Sequence, residues 1–182
     1  MPRPRKPACP FRYSNSSPEV IRLVVMMYVR FPLSLRNVED LRFERGIDLC
    51  HETVRIWWNR FGPMFASEIR RQRVSRMGGS RHWRWHLDEV FGTINGKRHY
   101  LWRAVDREMS RWKNNRVESS HLPFRRRERA MLRFRRMKSL QKFASVHASM
   151  HNHFNQERHL VDRQTYKLRR AAAPTEWQSL AA

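Results

Sequence analysis

The stretch of sequence that decides the fold runs from residue 83 to residue 105 and reads WRWHLDEVFGTINGKRHYLWRAV. From Trp83 to Phe91, large apolar side chains mostly alternate with polar ones, and this two-residue period predicts a strand. Asn95-Gly96 follows, a dipeptide that favours a hairpin because both turn positions need a positive φ. With a return strand over 97–105, the sequence predicts a β-hairpin.

Three apolar-striped segments precede the hairpin. Ser17-Pro18 favours a helix start, and apolar residues follow it at helical spacing. A second helix is predicted from Ser34 to a break at Gly46. A third is predicted from about His51 to Gly62-Pro63, which we expect to stop it. Three short helices with a glycine turn favour a helix-turn-helix, and a plain three-helix bundle is an equal alternative from the pattern alone.

The third helix is the expected reader of DNA if this module is a helix-turn-helix. Its polar side chains carry the donors and acceptors that base edges and phosphates require. The chain has 38 Lys and Arg against 16 Asp and Glu, a net charge of +22 that attracts polyanions. A ribosomal-type or membrane-surface protein is the alternative that charge alone allows. The candidate contacts are Thr53, Arg55, Asn59 and Arg60.

A dense run of arginines begins at residue 125. Glu128 is the only acid within it, and so many cations would repel one another unless phosphates lay alongside. The pattern predicts a helix that follows DNA phosphates, with binding that weakens steeply as salt rises. A solvated helix face is the alternative. The candidate phosphate contacts are Arg125, Arg126, Arg127, Arg129, Arg133, Arg135 and Arg136.

A long amphipathic helix is predicted from Leu140 to Phe154. His147 and His151 have the i, i+4 spacing that can hold zinc, with His153 nearby. Because no acidic residue lies between them and both fall on the apolar stripe, buried, hydrogen-bonded histidines are the favoured interpretation.

The cysteines and the apolar runs indicate the cellular compartment of the protein. Cys9 and Cys50 lack zinc-ligand spacing and are expected to be reduced thiols. The longest apolar run, from Leu23 to Val29, is too short to cross a bilayer. We therefore expect a cytoplasmic protein without a membrane partner.

Two motifs resemble those of DDE transposases of the bacterial insertion-sequence-six family. The first is Arg81–Val90 around Asp88, and the second is Trp112–His121 around Glu118. The resemblance implies an RNase H-like domain in which Asp88 and Glu118 are catalytic ligands for Mg²⁺ or Mn²⁺, in a two-metal arrangement that cleaves and transfers DNA strands. It also implies binding to terminal inverted repeats and target DNA, near the bacterial nucleoid.

The second aspartate of the family, which stands in a Thr-Asp context, has no counterpart here. Only 29 residues separate Asp88 from Glu118, whereas a complete RNase H-like domain needs further strands and helices there. Asp106 matches a separate, non-catalytic position of the family. We therefore expect an in-frame internal deletion at Ser110-Arg111 and little or no strand transfer.

The predicted fold class is α+β, a helix-turn-helix module followed by a truncated RNase H-like domain of a β-hairpin and C-terminal helices. Two alternatives to a defective transposase are open. One is a DNA-binding protein that occupies element ends, or pairs with full-length transposase and inhibits it, and a homo-oligomer is also possible. The other is a basic regulator with an accidental resemblance. The expected segments are a flexible basic arm (1–16), the helical module (17–62), a basic helix and linker (63–80), the shortened catalytic domain (81–156) and a basic tail (157–182).

Overall fold

The computed structural model describes residues 9–77, 85–106, 122–131, 134–154 and 162–180. Within them the chain forms six helices and one hairpin, which confirms the mixed, helix-rich class. Helices α1, α2, α3, α5 and α6 pack around a shared core. The elements are α1 (Pro18–Arg30), α2 (Leu35–Phe43), α3 (His51–Met77), β1 (Trp85–Ile94), β2 (Lys97–Asp106), α4 (Leu122–Ala130), α5 (Met137–Phe154) and α6 (Arg163–Gln178).

The first two helices begin where side-chain caps predict. The Ser17 hydroxyl accepts the Val20 N–H at 3.4 Å, so it satisfies a donor that the first turn of α1 leaves free. Ser34 and Asn37 form a capping box at α2, each side chain accepting the other's backbone N–H at 3.1 Å. The predicted break after α2 falls at Gly46, whose φ of +72° is a left-handed conformation that glycine adopts without strain.

The predicted end of the third helix at Gly62-Pro63 is wrong, because α3 continues through both residues to Met77. Phe61 and Phe65 lie on either side of the proline and are 1% and 0% exposed. Burial of this apolar stripe outweighs the helix-breaking tendency of Pro63. Gly62 is required for close packing, since a Cβ there would lie 2.6 Å from Cε3 of Trp58.

The predicted hairpin is confirmed over 85–106, with Trp85 opposite Asp106 and Ile94 opposite Lys97. Asn95 and Gly96 have φ values of +50° and +81°, the positive pair expected for the turn. Val90, Gly92 and Ile94 are buried on one face. The other face leaves large aromatic rings in solvent, with Tyr100 56% and Trp102 65% exposed.

The two ends of the described chain join the central core, so the predicted arm and tail need correction. Phe11, placed in the flexible arm by the sequence, is 4% exposed and packs on Phe61 with ring centroids 5.1 Å apart. The predicted basic tail contains α6, whose Trp177 is 0% exposed. Apolar packing against distant elements, which periodicity does not report, holds both ends. None of the helices in the described ranges has the length and apolar character needed to cross a membrane.

Candidate functional site

Asp88, the first predicted metal ligand, lies within β1, where its backbone pairs with Arg103 of β2. Glu118, the other predicted ligand, lies outside the described residues, as does the Ser110-Arg111 junction. The meeting of the two carboxylates at one metal site therefore stays a prediction.

The C-terminal helices fix the position of the strand that carries Asp88. A Cβ on Gly92 would lie 2.6 Å from Cδ1 of Leu140, so β1 and α5 approach closely because residue 92 has no side chain. The Thr93 N–H donates to Oε1 of Glu128 at 2.6 Å. These contacts join β1 to both α4 and α5.

Glu128, the only acid in the arginine run, belongs to this junction. Besides accepting the Thr93 N–H, its carboxylate forms an ion pair with Arg125 three residues earlier. The Arg125 guanidinium also lies over the Phe91 ring, 4.5 Å from the centroid. Arg125 is therefore engaged within the protein and is half-buried, although the sequence predicted it as a phosphate contact.

The arginine run does not form the single helix that its composition predicts. The helix α4 ends at Ala130, and α5 begins only at Met137. Phe134, between them, is 6% exposed and forms a bridge with Ile94, so packing against the hairpin interrupts the helix. Arg133 lies outside the described residues. The predicted phosphate contacts that the structure exposes to solvent are Arg126, Arg129, Arg135 and Arg136.

Arg127 corrects the prediction for that run, because it is 1% exposed. Its Nε donates to the Tyr28 carbonyl at 2.5 Å, in the last turn of α1. The guanidinium lies 4.3 Å from the Tyr28 ring centroid, and its Nη1 and Nη2 have no hydrogen-bond partner. Burial lowers the pKa of Arg127 to about 10, so the side chain remains charged at neutral pH. Arg127 therefore stabilises the carboxyl end of a helix in this fold and does not reach DNA.

The predicted reading residues lie in the first three turns of α3. Thr53 is half-buried, and Arg55 is exposed and forms an ion pair with Glu52. Arg60 is exposed and donates to the Pro10 carbonyl at 3.3 Å. Three of the four candidates are thus at the surface, because Asn59 is exposed as well.

Lys142 is a residue that the sequence interpretation missed, and it compensates for the proline inside α3. Pro63 has no N–H, so the carbonyl four residues earlier, that of Asn59, loses its helical partner. The Lys142 ammonium donates to this carbonyl at 3.0 Å and to Asn59 Oδ1 at 3.1 Å. Partial burial lowers the pKa of Lys142. The sequence signal for such a residue is the proline within the helical apolar stripe, because it leaves one helix carbonyl without an N–H donor.

Replacement of Lys142 by methionine is expected to lower the free energy of unfolding by about 1 kcal/mol, because a charge-assisted hydrogen bond to a helix carbonyl is lost. In a Pro63→Ala background the loss should be smaller, since residue 63 then supplies an N–H to the same carbonyl. Urea denaturation of the four proteins measures this coupling.

Lys138→Met is the matched control, because Lys138 is exposed on the same helix and should change stability by less than about 0.5 kcal/mol. If Lys142→Met lowers the free energy of unfolding by the same amount in the original protein and in the Pro63→Ala background, the proposed compensation of Pro63 by Lys142 is contradicted.

Among the histidines of α5, His147 is buried as the favoured interpretation predicts, with 6% of its surface exposed. Its ring stacks on that of His151 at a centroid distance of 5.7 Å and packs edge-on against Phe124. His153 Nε2 lies 3.0 Å from the Ala173 carbonyl, a contact that ties α5 to α6. Packing between helices therefore accounts for these residues.

Comparisons with known proteins find matches over the segments that contain both motifs. A family model described as a DDE domain matches residues 82–110 and, separately, 107–157. The transposase for insertion sequence-like element IS431mec of Staphylococcus aureus is 32% identical over 98 residues, which are 54% of this chain and 42% of that protein. The transposase for insertion sequence element IS257 in transposon Tn4003, also from Staphylococcus aureus, is 31% identical over the same length. No solved structure matches.

Both matched segments resemble a DDE domain, one with the Asp88 motif and one with the Glu118 motif. The chain therefore resembles DDE transposases of the insertion-sequence-six type over these segments. It spans less than half the length of the curated relatives that it matches.

Proposed function

We propose that this chain is an insertion-sequence transposase by descent, which binds DNA but has lost strand transfer. The observation that carries the proposal is the division of the DDE match into 82–110 and 107–157. Only residues 107–117 lie between the end of β2 and Glu118. A parallel strand with its crossover needs a dozen or more residues, so this interval is too short for a strand that bears a second aspartate.

The two carboxylates that remain do not fit the metal requirement of the family. Asp88 and Glu118 supply hard oxygen donors of the kind that Mg²⁺ and Mn²⁺ prefer. A two-metal site needs enough negative charge to hold both ions close together, and the second aspartate of the family's three carboxylates has no counterpart in this sequence. Divalent ions are therefore expected to bind weakly, and no cleavage step is assigned to these residues.

DNA binding is proposed to use two surfaces. The first is a helix-turn-helix formed by α1, α2 and α3, in which Gly46 allows the turn and α3 presents Arg55, Asn59 and Arg60. The second is the exposed arginines beside the hairpin, which suit phosphates rather than bases. Their expected target is the terminal inverted repeat of the parent element, in the bacterial cytoplasm. The phosphate-contacting residues proposed are Arg126, Arg129, Arg135 and Arg136.

A second candidate function is interference with full-length transposase. In the described part of the chain the sheet has only two strands, so each strand has an outer edge to which another strand could pair. The isolated bridge between Ile94 and Phe134 occupies one position of these edges. The exposed Tyr100 and Trp102 rings lie on the same hairpin. Mixed oligomers with an intact copy would inhibit transposition without any chemistry by this chain.

The test uses duplex DNA that carries the terminal repeat of the parent element, in the presence of Mg²⁺ or Mn²⁺. We expect binding by fluorescence anisotropy, no strand cleavage or transfer on denaturing gels, and an affinity that falls steeply with salt. Arg126→Ala and Arg129→Ala should each reduce the slope of log affinity against log salt by about 1. Arg71→Ala is the control, because Glu68 already pairs with that charge.

Cleavage that is abolished by Asp88→Ala or Glu118→Ala, and retained in Asp106→Ala, would refute the loss of strand transfer. Binding without any salt dependence would refute the phosphate contacts. If the chain lowers strand transfer by an intact transposase only when both are mixed before DNA is added, interference is supported over simple competition for the element ends.

A further inference from the structure

Three potential metal ligands meet at the junction between α2 and α3. Glu39 lies on α2, Cys50 immediately precedes α3, and His51 is its first residue. One donor atom from each lies within 4.8 Å of the others. His51 Nδ1 is 3.0 Å from Glu39 Oε2. In the residues that the structure describes, no other group of three such side chains is brought together in this way.

We propose that Glu39, Cys50 and His51 form a binding site for Zn²⁺ or a similar borderline-soft divalent ion. Thiolate, imidazole and carboxylate are the three kinds of side chain that zinc binds, at about 2.0–2.3 Å. Ligand atoms around a tetrahedral ion then lie within 4 Å of one another, so small rotations of half-buried and exposed side chains bring these three into range. A water molecule would complete the coordination. Mg²⁺ and Ca²⁺ are disfavoured because a thiolate is too soft for them.

Glu52 supports the orientation of the imidazole that this site requires. A histidine that binds metal through one ring nitrogen commonly gives the other ring N–H to a carboxylate. If the ion is bound at Nδ1, beside Glu39 and Cys50, then Nε2 faces Glu52, whose Oε1 lies 3.5 Å away. The Glu52 carboxylate is itself held by Arg55. The two nitrogens of His51 thus have distinct partners.

The charge around the site also favours a cation, on a chain whose net charge is +22. The segment 39–52 carries five carboxylates against two arginines. Of the arginines, Arg42 is buried and Arg45 donates to the Leu41 carbonyl. The local surface is therefore acidic. The five carboxylates are those of Glu39, Asp40, Glu44, Asp48 and Glu52.

The sequence interpretation took Cys50 as a plain thiol because no second cysteine lies at zinc-ligand spacing. The proposed site was missed because Glu39 lies eleven positions before Cys50, on a different helix, and only the turn at Gly46 brings them together. The inference does not depend on DNA binding or on transposase ancestry. If it holds, the ion joins α2 to the first turn of α3.

The site is tested by titrating the reduced full chain with Co²⁺, which replaces Zn²⁺ and reports its ligands by absorption. We expect one equivalent with a thiolate-to-cobalt charge-transfer band, displaced by Zn²⁺. Cys50→Ser should abolish the band, and Cys9→Ser, which removes the other exposed thiol, should retain it. Serine can still accept the Glu52 N–H that Cys50 Sγ accepts at 3.4 Å, so the helix start is preserved.

Two further variants distinguish His51, a proposed metal ligand, from Glu52, which orients its ring. Glu52→Gln should weaken Co²⁺ affinity about tenfold to a hundredfold while keeping the band, and His51→Gln should weaken it more. A band that survives in Cys50→Ser or disappears in Cys9→Ser would overturn the proposal. So would binding with no charge-transfer band, because Asp88, Glu118 and the α5 histidines bind without sulfur.

Discussion

Replacing Trp177 with alanine is expected to lower the free energy of unfolding by about 4 kcal/mol, within the range for truncating a fully buried tryptophan. Trp177 is 0% exposed and packs edge-on against Phe65, with centroids 5.1 Å apart, and against Phe154 at 5.8 Å. Alanine leaves a cavity that these rings cannot close without moving α3 and α5. The loss is measured by urea denaturation followed by far-ultraviolet circular dichroism.

A hydrogen bond adds to the packing of this tryptophan. Its Nε1–H donates to the Arg22 carbonyl at 3.1 Å, and the Arg22 Nε donates to the Leu180 carbonyl at 2.7 Å. Trp177→Phe keeps most of the ring and removes only the first bond, so it should cost about 1–3 kcal/mol. Comparing phenylalanine with alanine therefore separates the hydrogen bond from the cavity.

Trp102→Ala is the matched control for Trp177, because Trp102 is 65% exposed and should change stability by less than about 0.5 kcal/mol. If both alanine variants lose the same amount, the docking of α6 is contradicted. Limited proteolysis gives a second readout, since a detached α6 should unfold and become cleavable by trypsin at its basic residues in Trp177→Ala alone.

Replacing Arg127 with alanine is expected to lower the free energy of unfolding by about 3 kcal/mol. The change opens a cavity between Tyr28 and Phe143 and removes the donor to the Tyr28 carbonyl. Arg127→Met should cost less, because methionine fills much of the space and removes two buried nitrogens that have no partner. Urea denaturation at neutral pH measures both variants.

Arg129→Ala is the control for Arg127, since Arg129 is exposed on the same helix. An Arg127→Ala variant as stable as Arg129→Ala would show that Arg127 is not held in the core. In DNA binding the expected effects of these two residues are reversed. Arg129→Ala is expected to reduce the slope of log affinity against log salt, whereas Arg127→Met should leave that slope unchanged if the protein remains folded.

Arg127 contributes no pH dependence of stability near neutrality. Burial lowers its pKa to about 10, so below about pH 10 it is charged in the folded and the unfolded chain alike. Above that pH, and below the higher pKa of an arginine in the unfolded chain, the unfolded chain holds the proton and the folded chain releases it, so this residue makes stability rise with pH there. The denaturation experiments are therefore best done at neutral pH, where the burial cost is fully present.

The local elements were largely predictable from the sequence. The alternation around Val90 and the Asn95-Gly96 pair located the hairpin, because a strand and its turn depend on neighbouring residues. The helical stripes located α1 and the start of α3 for the same reason, and residues of those stripes such as Ile21, Val24 and Trp58 are buried. The Asp88 and Glu118 motifs pointed to DDE transposases, and the comparisons find the same resemblance.

The errors share one cause. Pro63 was read as a helix end, although Phe61, Phe65 and the Lys142 ammonium hold the helix together across it. Arg127 was grouped with its neighbours, although it alone is buried among the arginines of that run that the structure describes, and it donates to the Tyr28 carbonyl. In both cases a residue distant in sequence supplies the compensation, and no local pattern contains it.

The sequence by itself determined the period of each element, the strand turn, the excess of positive charge and the resemblance to transposases, because each depends on residue type and near neighbours. Only the tertiary structure decided that Arg127 of the arginine run is buried, that α6 closes the core, and that Glu39, Cys50 and His51 meet. The Arg127–Tyr28 bond spans 99 positions and the Arg22–Leu180 bond spans 158. Contacts over such separations arise from burial of shared apolar surface, which selects the partners only when the whole chain has packed.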